Sequence, residues 1–245
     1  MKTQDFDYVL PPSFIAQSSV VPRDHARLFV LHRNTGECFH RRFFEIENNL
    51  YKGDVLVFND SKVFPARLRG IIQEKSVEIF LLHCEQSCPT SSQWEILAKP
   101  GRFLRKDIPI LLPPSLSAHL FEKRQETYLI EISASEQEVL AFAHAYGNIP
   151  IPPYVDKIPE RLSDYQTIYA KTIGSVAAPT AGFHFTKSLL SRLKQKGIQM
   201  EFVTLHVGLG TFLPVKTETL EEHTMHREYV KIEEETAERL KEAKQ

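Results

Sequence analysis

Histidines crowd the last third of this chain. His184, His206, His223 and His226 all fall there, and imidazole is the side chain that carries protons near neutral pH or ligates a metal. The metal reading has little support in the spacing, because neither an H-E-x-x-H run nor a paired-cysteine motif accompanies these residues. For each histidine the alternative is structural, a core or surface imidazole with satisfied nitrogens. His206 stands apart. It ends a predicted strand and is followed at once by Gly208 and Gly210, where a backbone without Cβ substituents can come close to a ligand. The G-x-G lacks the third glycine and the strand-loop-helix setting of a dinucleotide fingerprint, and a tight turn is the competing explanation.

Other residue types add candidates. Asn59-Asp60-Ser61 follows the apolar run Val55 to Phe58, and polar groups just past such a strand lie where open α/β sheets commonly bind ligands. Thr186 reads as a helix N-cap, which leaves outward-pointing N–H groups suited to a carboxylate or phosphate; the plain alternative is that it only caps its own helix. Phe183, Phe185 and Phe212 could stack on a nucleobase or fill a core. Arg67 belongs to a set of basic residues around predicted strand ends, with Arg23, Arg27, Arg41, Arg42, Lys62 and Arg69. These are solvated charges unless several share a face and hold a phosphate backbone.

The elements that must position these groups follow from periodicity and punctuation. Lys187 to Lys196 is predicted as an amphipathic helix between Thr186 and Gly197, and Ile198 to Val207 as the strand after it. The loops GSVAAPTAGFHFT (Gly174 to Thr186) and TLHVGLGTF (Thr204 to Phe212) flank that unit. Earlier, Leu28 to Leu31 and Cys38 to Arg42 read as a hairpin around Asn34-Thr-Gly36. Val55 to Phe58 reads as a strand buried on both faces. Residues 67 to about 134 change texture: short β-rich runs (70–73, 77–82, 94–98, 108–112 and 128–132) alternate with turn residues, which predicts a small barrel. A capping box at Ser135 and Glu138 opens a helix that stops at Gly147. The proline-rich segment Ile149 to Tyr154 returns the chain to the main domain. Ser163 and Gln166 look like a second cap leading a short helix, and Glu233 to Gln245 is a charge-rich helix candidate. The fold class is thus α/β, multidomain: a mixed-sheet α/β main domain (1–66 with 149–245) interrupted by an inserted β-barrel-like domain (67–148).

Composition limits the partners. The chain has 245 residues, 42% of them hydrophobic and 25% charged, as expected of a soluble globular protein. No apolar run approaches a membrane span, and the N-terminus lacks the apolar stretch of a secretory signal, so a cytoplasmic location is expected. Three cysteines without C-x-x-C spacing suggest free thiols. A formal charge of −1 leaves no global basic field, and a polynucleotide would have to meet a local patch.

Longer motifs narrow the reading. DFDYVLP (Asp5 to Pro11), PRDHARLFVL (Pro22 to Leu31), GDVLVFNDSKVFPARLRG (Gly53 to Gly70), IPPYV (Ile151 to Val155), YQTIYAKTIGSVAAPTAGFHFT (Tyr165 to Thr186), TLHVGLGTFLPV (Thr204 to Val215) and EEHTMHREY (Glu221 to Tyr229) closely resemble the S-adenosylmethionine:tRNA ribosyltransferase-isomerase family of queuosine biosynthesis. The resemblance runs in order to about residue 232 and is weakest from about 71 to 148. It implies an α/β domain interrupted by a small β-barrel. It also implies an enzyme that transfers and isomerises the ribosyl group of S-adenosylmethionine onto 7-aminomethyl-7-deazaguanine in tRNA, giving epoxyqueuosine and releasing adenine and methionine.

Under that resemblance S-adenosylmethionine is a consumed cosubstrate, tRNA is the partner, no metal or membrane is expected, and the protein is a monomer. His206, His184, His223 and His226 become the candidate proton carriers, with Asp60 as a carboxylate alternative. Gly208 and Gly210 allow close approach of the cosubstrate, and Thr186 with its helix N-terminus receives the methionine carboxylate. Phe183, Phe212 and Arg67 complete the substrate-binding candidates. Members of the resembled family continue beyond the point where this chain stops, into a TTSVR-like motif absent here. The second reading is therefore a truncated or non-catalytic homologue that only binds tRNA or S-adenosylmethionine.

Overall fold

The computed structural model describes residues 1–244 except 152–154, 156–158, 160, 209, 211–214 and 226–227. Strands β1 (Arg27–Leu31) and β2 (Cys38–Arg42) form the expected antiparallel hairpin. Gly36 turns it at a φ of 74°, a conformation other residues seldom adopt. Next come β3 (Val55–Asn59) and the short β4 (Ser61–Val63), separated by Asp60 alone.

A closed barrel follows. Its strands are β5 (Arg67–Ile72), β6 (Lys75–Ser87), β7 (Ser92–Lys99), β8 (Ile110–Leu112), β9 (Leu116–Lys123) and β10 (Tyr128–Ile132). They close in the order β10-β7-β6-β5-β8-β9 with every pairing antiparallel. Alternate residues point inward, so Ile79, Leu81, Ile96, Ile110, Leu112, Ala118, Ile130 and Ile132 are fully buried. Closure leaves no sheet edge open to pairing with another chain. Strand β9 is the barrel strand that the sequence reading left out, although Leu116, Ala118 and Leu120 already showed the period-two alternation.

Helix α1 (Glu136–Tyr146) starts at the predicted capping box: Glu138 N donates to Ser135 Oγ, and Ser135 N donates to Glu138 Oε2 at 2.8 Å. It lays Val139, Phe142 and Ala143 on the barrel core. Gly147 ends it in an extended conformation, and a Cβ there would stand 2.1 Å from the Pro65 carbonyl oxygen. Close packing, rather than a positive φ, is what requires glycine. Arg67 and Asn148 then exchange backbone hydrogen bonds of 3.3 and 2.8 Å where the chain enters and leaves the barrel. The barrel core does not stop at that junction, since Phe64, Ala66 and Val176 pack into it.

The remaining elements are β11 (Thr172–Ser175), α2 (Lys187–Gln195), β12 (Gln199–His206), β13 (Tyr229–Lys231) and α3 (Glu234–Ala243). β12 is the centre of a mixed three-stranded sheet, parallel to β3 and antiparallel to β13, while β4 pairs in parallel with β11. α2 buries Leu189 and Leu193 completely against Phe43, Phe58, Phe185 and Ile198, a gain of roughly 1.5–3 kcal/mol for each leucine. Gly197 follows α2 at a φ of 87°, the left-handed C′ position predicted for it. α3 is tied to β12 by Arg239, whose guanidinium holds the buried Glu201 carboxylate at 2.6 and 2.9 Å.

Two expectations need correction. β3 is not buried on both faces: it is an edge strand with β12 on one side, and Val57 is 51% exposed. Ser163 and Gln166 do not cap a helix. Leu162–Tyr165 is a single 3₁₀ turn, and the Gln166 amide is drawn instead to the backbone of β4, accepting from Val63 N at 3.1 Å and donating to Val63 O at 2.6 Å.

Candidate functional site

The chain changes sheets at Asp60, leaving β3 beside β12 and starting β4 beside β11. In open α/β sheets ligands commonly bind where strand order switches in this way. Short polar residues hold the switch together. Asn59 donates from Nδ2 to Leu205 O at 2.8 Å, and its Oδ1 accepts from Leu205 N and Ser61 N, each at 3.0 Å. Asp60 N donates to Val203 O, while its carbonyl accepts from Lys171 N at 2.7 Å and Thr172 N at 3.2 Å. The Asp60 carboxylate accepts from Thr204 Oγ1 at 2.7 Å. Ser175, fully buried, accepts from Val207 N at 3.0 Å and donates to Ala177 O at 2.6 Å. Strand ends with so many backbone partners are pre-organised rather than mobile.

His206 stands in the middle of this construction, half-buried at the end of β12. Its Nδ1 lies 2.7 Å from Ser61 Oγ. The Tyr229 ring of β13 stacks on it with centroids 5.3 Å apart and planes 19° from parallel. Gly174 of β11 also abuts the ring: a Cβ built there would lie 2.4 Å from Nε2 and 2.7 Å from both Cδ2 and Cε1. Near-equal distances of that kind place the glycine over the ring, not at its rim. The imidazole is thus held in plane by Gly174 and Tyr229 and at one nitrogen by Ser61, while Nε2 has no hydrogen-bond partner among the described residues. Burial lowers the pKa of His206 below its ordinary value, His83 on barrel strand β6 adds to the fall, and the Asp60 carboxylate opposes it. Burial thus favours the neutral ring.

Gly208, one residue further on, has open space where a Cβ would be, and its N–H donates to Glu228 Oε1 at 3.0 Å. Gly210 lies half-buried beyond it. Phe212 and His226 fall outside the described residues. His223 caps the 3₁₀ turn Leu220–Glu222 through its backbone.

A second group of the sequence candidates gathers around the start of α2. Thr186 Oγ1 accepts from Leu189 N at 3.2 Å and donates to Asp24 Oδ2 at 2.8 Å, so the carboxylate at this helix N-terminus comes from the chain itself. His184 lies against Phe43 with centroids 5.1 Å apart. Burial lowers its pKa, partly offset by a hydrogen bond to the Arg23 backbone. Arg23 reaches over Phe183 and donates to the carbonyls of Gln166, Ser163 and Asp164. Gln166 links this group to β4, and hence to Ser61. Arg67 sits apart at the barrel junction, above the Phe80 ring, its buried Nε 3.8 Å from the Glu78 carboxylate and without a hydrogen bond among the described residues. Among the described residues no group of three His, Cys, Asp or Glu side chains is arranged to hold a metal.

The chemistry on offer is a half-buried imidazole seated by Ser61, Gly174 and Tyr229, with the Asp60 carboxylate acting on it and Glu228 at the neighbouring Gly208. Residues 3–245 match the family described as Queuosine biosynthesis protein. The chain belongs to that family. Similar members include the S-adenosylmethionine:tRNA ribosyltransferase-isomerases of Carboxydothermus hydrogenoformans, 44% identical over 250 residues, and Sulfurihydrogenibium sp., 41% identical over 249. Each alignment covers the whole of this chain and 71% or 72% of the relative. Among solved structures of the queuosine family, the S-adenosylmethionine tRNA ribosyltransferase of Thermotoga maritima is 31% identical with a TM-score of 0.41. That alignment spans 98% of this chain and 65% of the other.

The sequence marks His206 and the strand-end run Asn59-Asp60-Ser61, though not the contact between Ser61 and His206. Gly174 had a weaker signal as the first small residue of a loop. Tyr229 had none, since its place beside His206 depends on the antiparallel register of β12 and β13.

Proposed function

We propose that this queuosine-family chain binds S-adenosylmethionine in the crevice between β3, β4, β11 and β12 and carries out the ribosyl transfer and isomerisation on 7-aminomethyl-7-deazaguanine in tRNA. The observation that carries the reading is His206, in contact with Gly174 and Tyr229 and with Nε2 unpartnered among the described residues, in a chain whose relatives bear that activity in their names. The crevice suits the cosubstrate. A sulfonium is a cation, favoured by carboxylates and aromatic faces, and Asp60, Glu228 and Tyr229 supply these around His206 and Gly208. Lys231, the nearby cation on β13, is neutralised by Glu233 at 2.7 Å.

The reaction asks for three things: a base for the carbon beside the sulfonium, a hydrogen bond to the departing adenine, and exclusion of water from reactive intermediates. Asp60 is the carboxylate whose charge acts on the His206 ring, and the two are the candidate proton carriers of this site. His184 and Thr186 belong to the Arg23–Asp24 group, where they have internal partners. Arg67 at the barrel junction is the candidate for a phosphate contact. We take 67–148 as an inserted unit and 1–66 with 149–245 as the catalytic one. The monomeric state and a cytoplasmic site of action belong to the same proposal; no helix among the described residues is long and apolar enough to cross a membrane.

Incubating this chain with S-adenosylmethionine and tRNA bearing the deazaguanine, then analysing the nucleosides by mass spectrometry, tests the reading. Epoxyqueuosine with release of adenine and methionine is expected. Retained binding of either substrate with no epoxyqueuosine would instead establish the binding-only homologue.

A further inference from the structure

We propose that His206 acts as a neutral hydrogen-bond donor through Nε2–H, and that Ser61 is the positioning residue that fixes it in this form. The identity of the acceptor rests on the ribosyl-transfer reading; the protonation state does not. Ser61 is completely buried, and the hydroxyl's one partner among the described residues is His206 Nδ1, 2.7 Å away. Two proton arrangements satisfy that distance. In the first, the ring donates Nδ1–H to Ser61 Oγ, and the hydroxyl proton is left in the protein interior with no acceptor, which carries the full desolvation cost of a buried donor. In the second, the hydroxyl donates to Nδ1 and both groups are satisfied. The second arrangement places the single proton of the neutral ring on Nε2.

The mount keeps that donor aimed. Gly174 covers one face of the ring and the Tyr229 ring stacks on it, so rotation about the Cβ–Cγ bond is blocked and Nε2–H points along the ring plane. A ring in this tautomer cannot take the proton from the carbon beside the sulfonium, because its basic nitrogen already accepts from Ser61. Its chemistry is donation to an acceptor that gains electron density as the reaction proceeds. The leaving adenine has such acceptors in its ring nitrogens, and a hydrogen bond there favours departure of the base with the electron pair of the glycosidic bond. The base for the carbon acid must then be another group.

The test uses the full chain labelled with ¹⁵N-histidine. Its ring nitrogens are read by NMR at neutral pH, with His206→Gln giving the assignment. A protonated Nε2 and a bare Nδ1 are expected for His206, giving way to a mixture of tautomers in Ser61→Ala. A ring protonated at Nδ1, or a tautomer unchanged in Ser61→Ala, overturns the proposal. Turnover gives a second arm. His206→Gln keeps an amide donor near the Nε2 position but no base, and should stay within about tenfold of wild type in kcat, while His206→Ala should lose about a hundredfold or more. Equal losses in the two variants would overturn the donor role. If every form were inactive on tRNA while the wild-type ring showed protonated Nε2, the enzymatic reading would fail and the assignment of the tautomer would stand.

Discussion

The Cα of Gly174 and the imidazole of His206 are in contact with no space for a methyl group between them. A Cβ on residue 174 would stand 2.4 Å from Nε2, and the glycine's φ of 149° is one that other residues seldom adopt. Gly174→Ala therefore has to push the ring off its seat, out of reach of Ser61. The strained backbone costs some stability, but the larger effect falls on the seat of His206: we expect kcat to fall more than about tenfold, equivalent to about 1.4 kcal/mol at the transition state, while the chain still unfolds cooperatively in urea. Turnover within twofold of wild type would show that the position of His206 does not matter to the reaction.

The residues that seat His206 show where sequence reasoning reaches and where it stops. Helix α2, its Thr186 cap and its Gly197 end were legible because their signals lie within a few residues of one another. The barrel was legible from its short β-rich runs between turn residues, while the alternation of Leu116, Ala118 and Leu120 in β9 spans only three inward positions. Gln166 was misread because the same side chain can cap a local helix or bind a distant strand, and only the fold brings Val63 to it. Tyr229 beside His206 is likewise a product of strand register. The candidate histidines were visible by type; that His206 meets Ser61, Gly174 and Tyr229 depends on strand pairing.

At the start of α2 the structure separates stability from binding. Thr186 accepts from Leu189 N and donates to the buried Asp24 carboxylate, so its hydroxyl is already committed on both sides. Thr186→Ala should cost about 1 kcal/mol in urea denaturation, the usual worth of such a cap. The dissociation constant for S-adenosylmethionine, measured by calorimetry on the same variant, should stay within a few fold. A large loss of affinity with stability unchanged would return Thr186 to the ligand-binding set.

Protonation of the buried histidines gives a pH dependence with a definite sign. Burial lowers the folded pKa of both His206 and His184 below the ordinary 6.5. The groups acting on His206 are His83, which lowers it further, and Asp60, which opposes the fall; on His184 the Arg23 backbone opposes. Above pH 6.5 neither state of the chain binds the proton. Below it the unfolded chain takes up protons that the folded one refuses, so stability is lost as pH falls from 6.5 through the folded values. Urea midpoints measured across this range should decline toward acid pH, and less steeply in His206→Gln. Identical slopes in the two proteins would mean that His206 titrates normally in the folded chain.

Gln166 links the two polar groups, to Arg23 through its backbone carbonyl and to β4 through its side-chain amide, and a substitution there acts on the β4 side. Its amide satisfies the N–H and the C=O of Val63, a residue 1% exposed, and its own carbonyl accepts from Arg23 at 2.6 Å. Gln166→Ala leaves two buried backbone groups without partners, for a loss of about 2–4 kcal/mol. Val63 lies two residues from Ser61 on β4, so the same change loosens the strand that carries the partner of His206, and kcat should fall together with stability. Gln166→Glu separates the contributions: a carboxylate can still accept from Val63 N but sets an anion against Val63 O. If the hydrogen bonds to Val63 are what matters, Gln166→Glu must be at least as destabilised as Gln166→Ala, and a wild-type urea midpoint for either variant would rule them out as the source of stability.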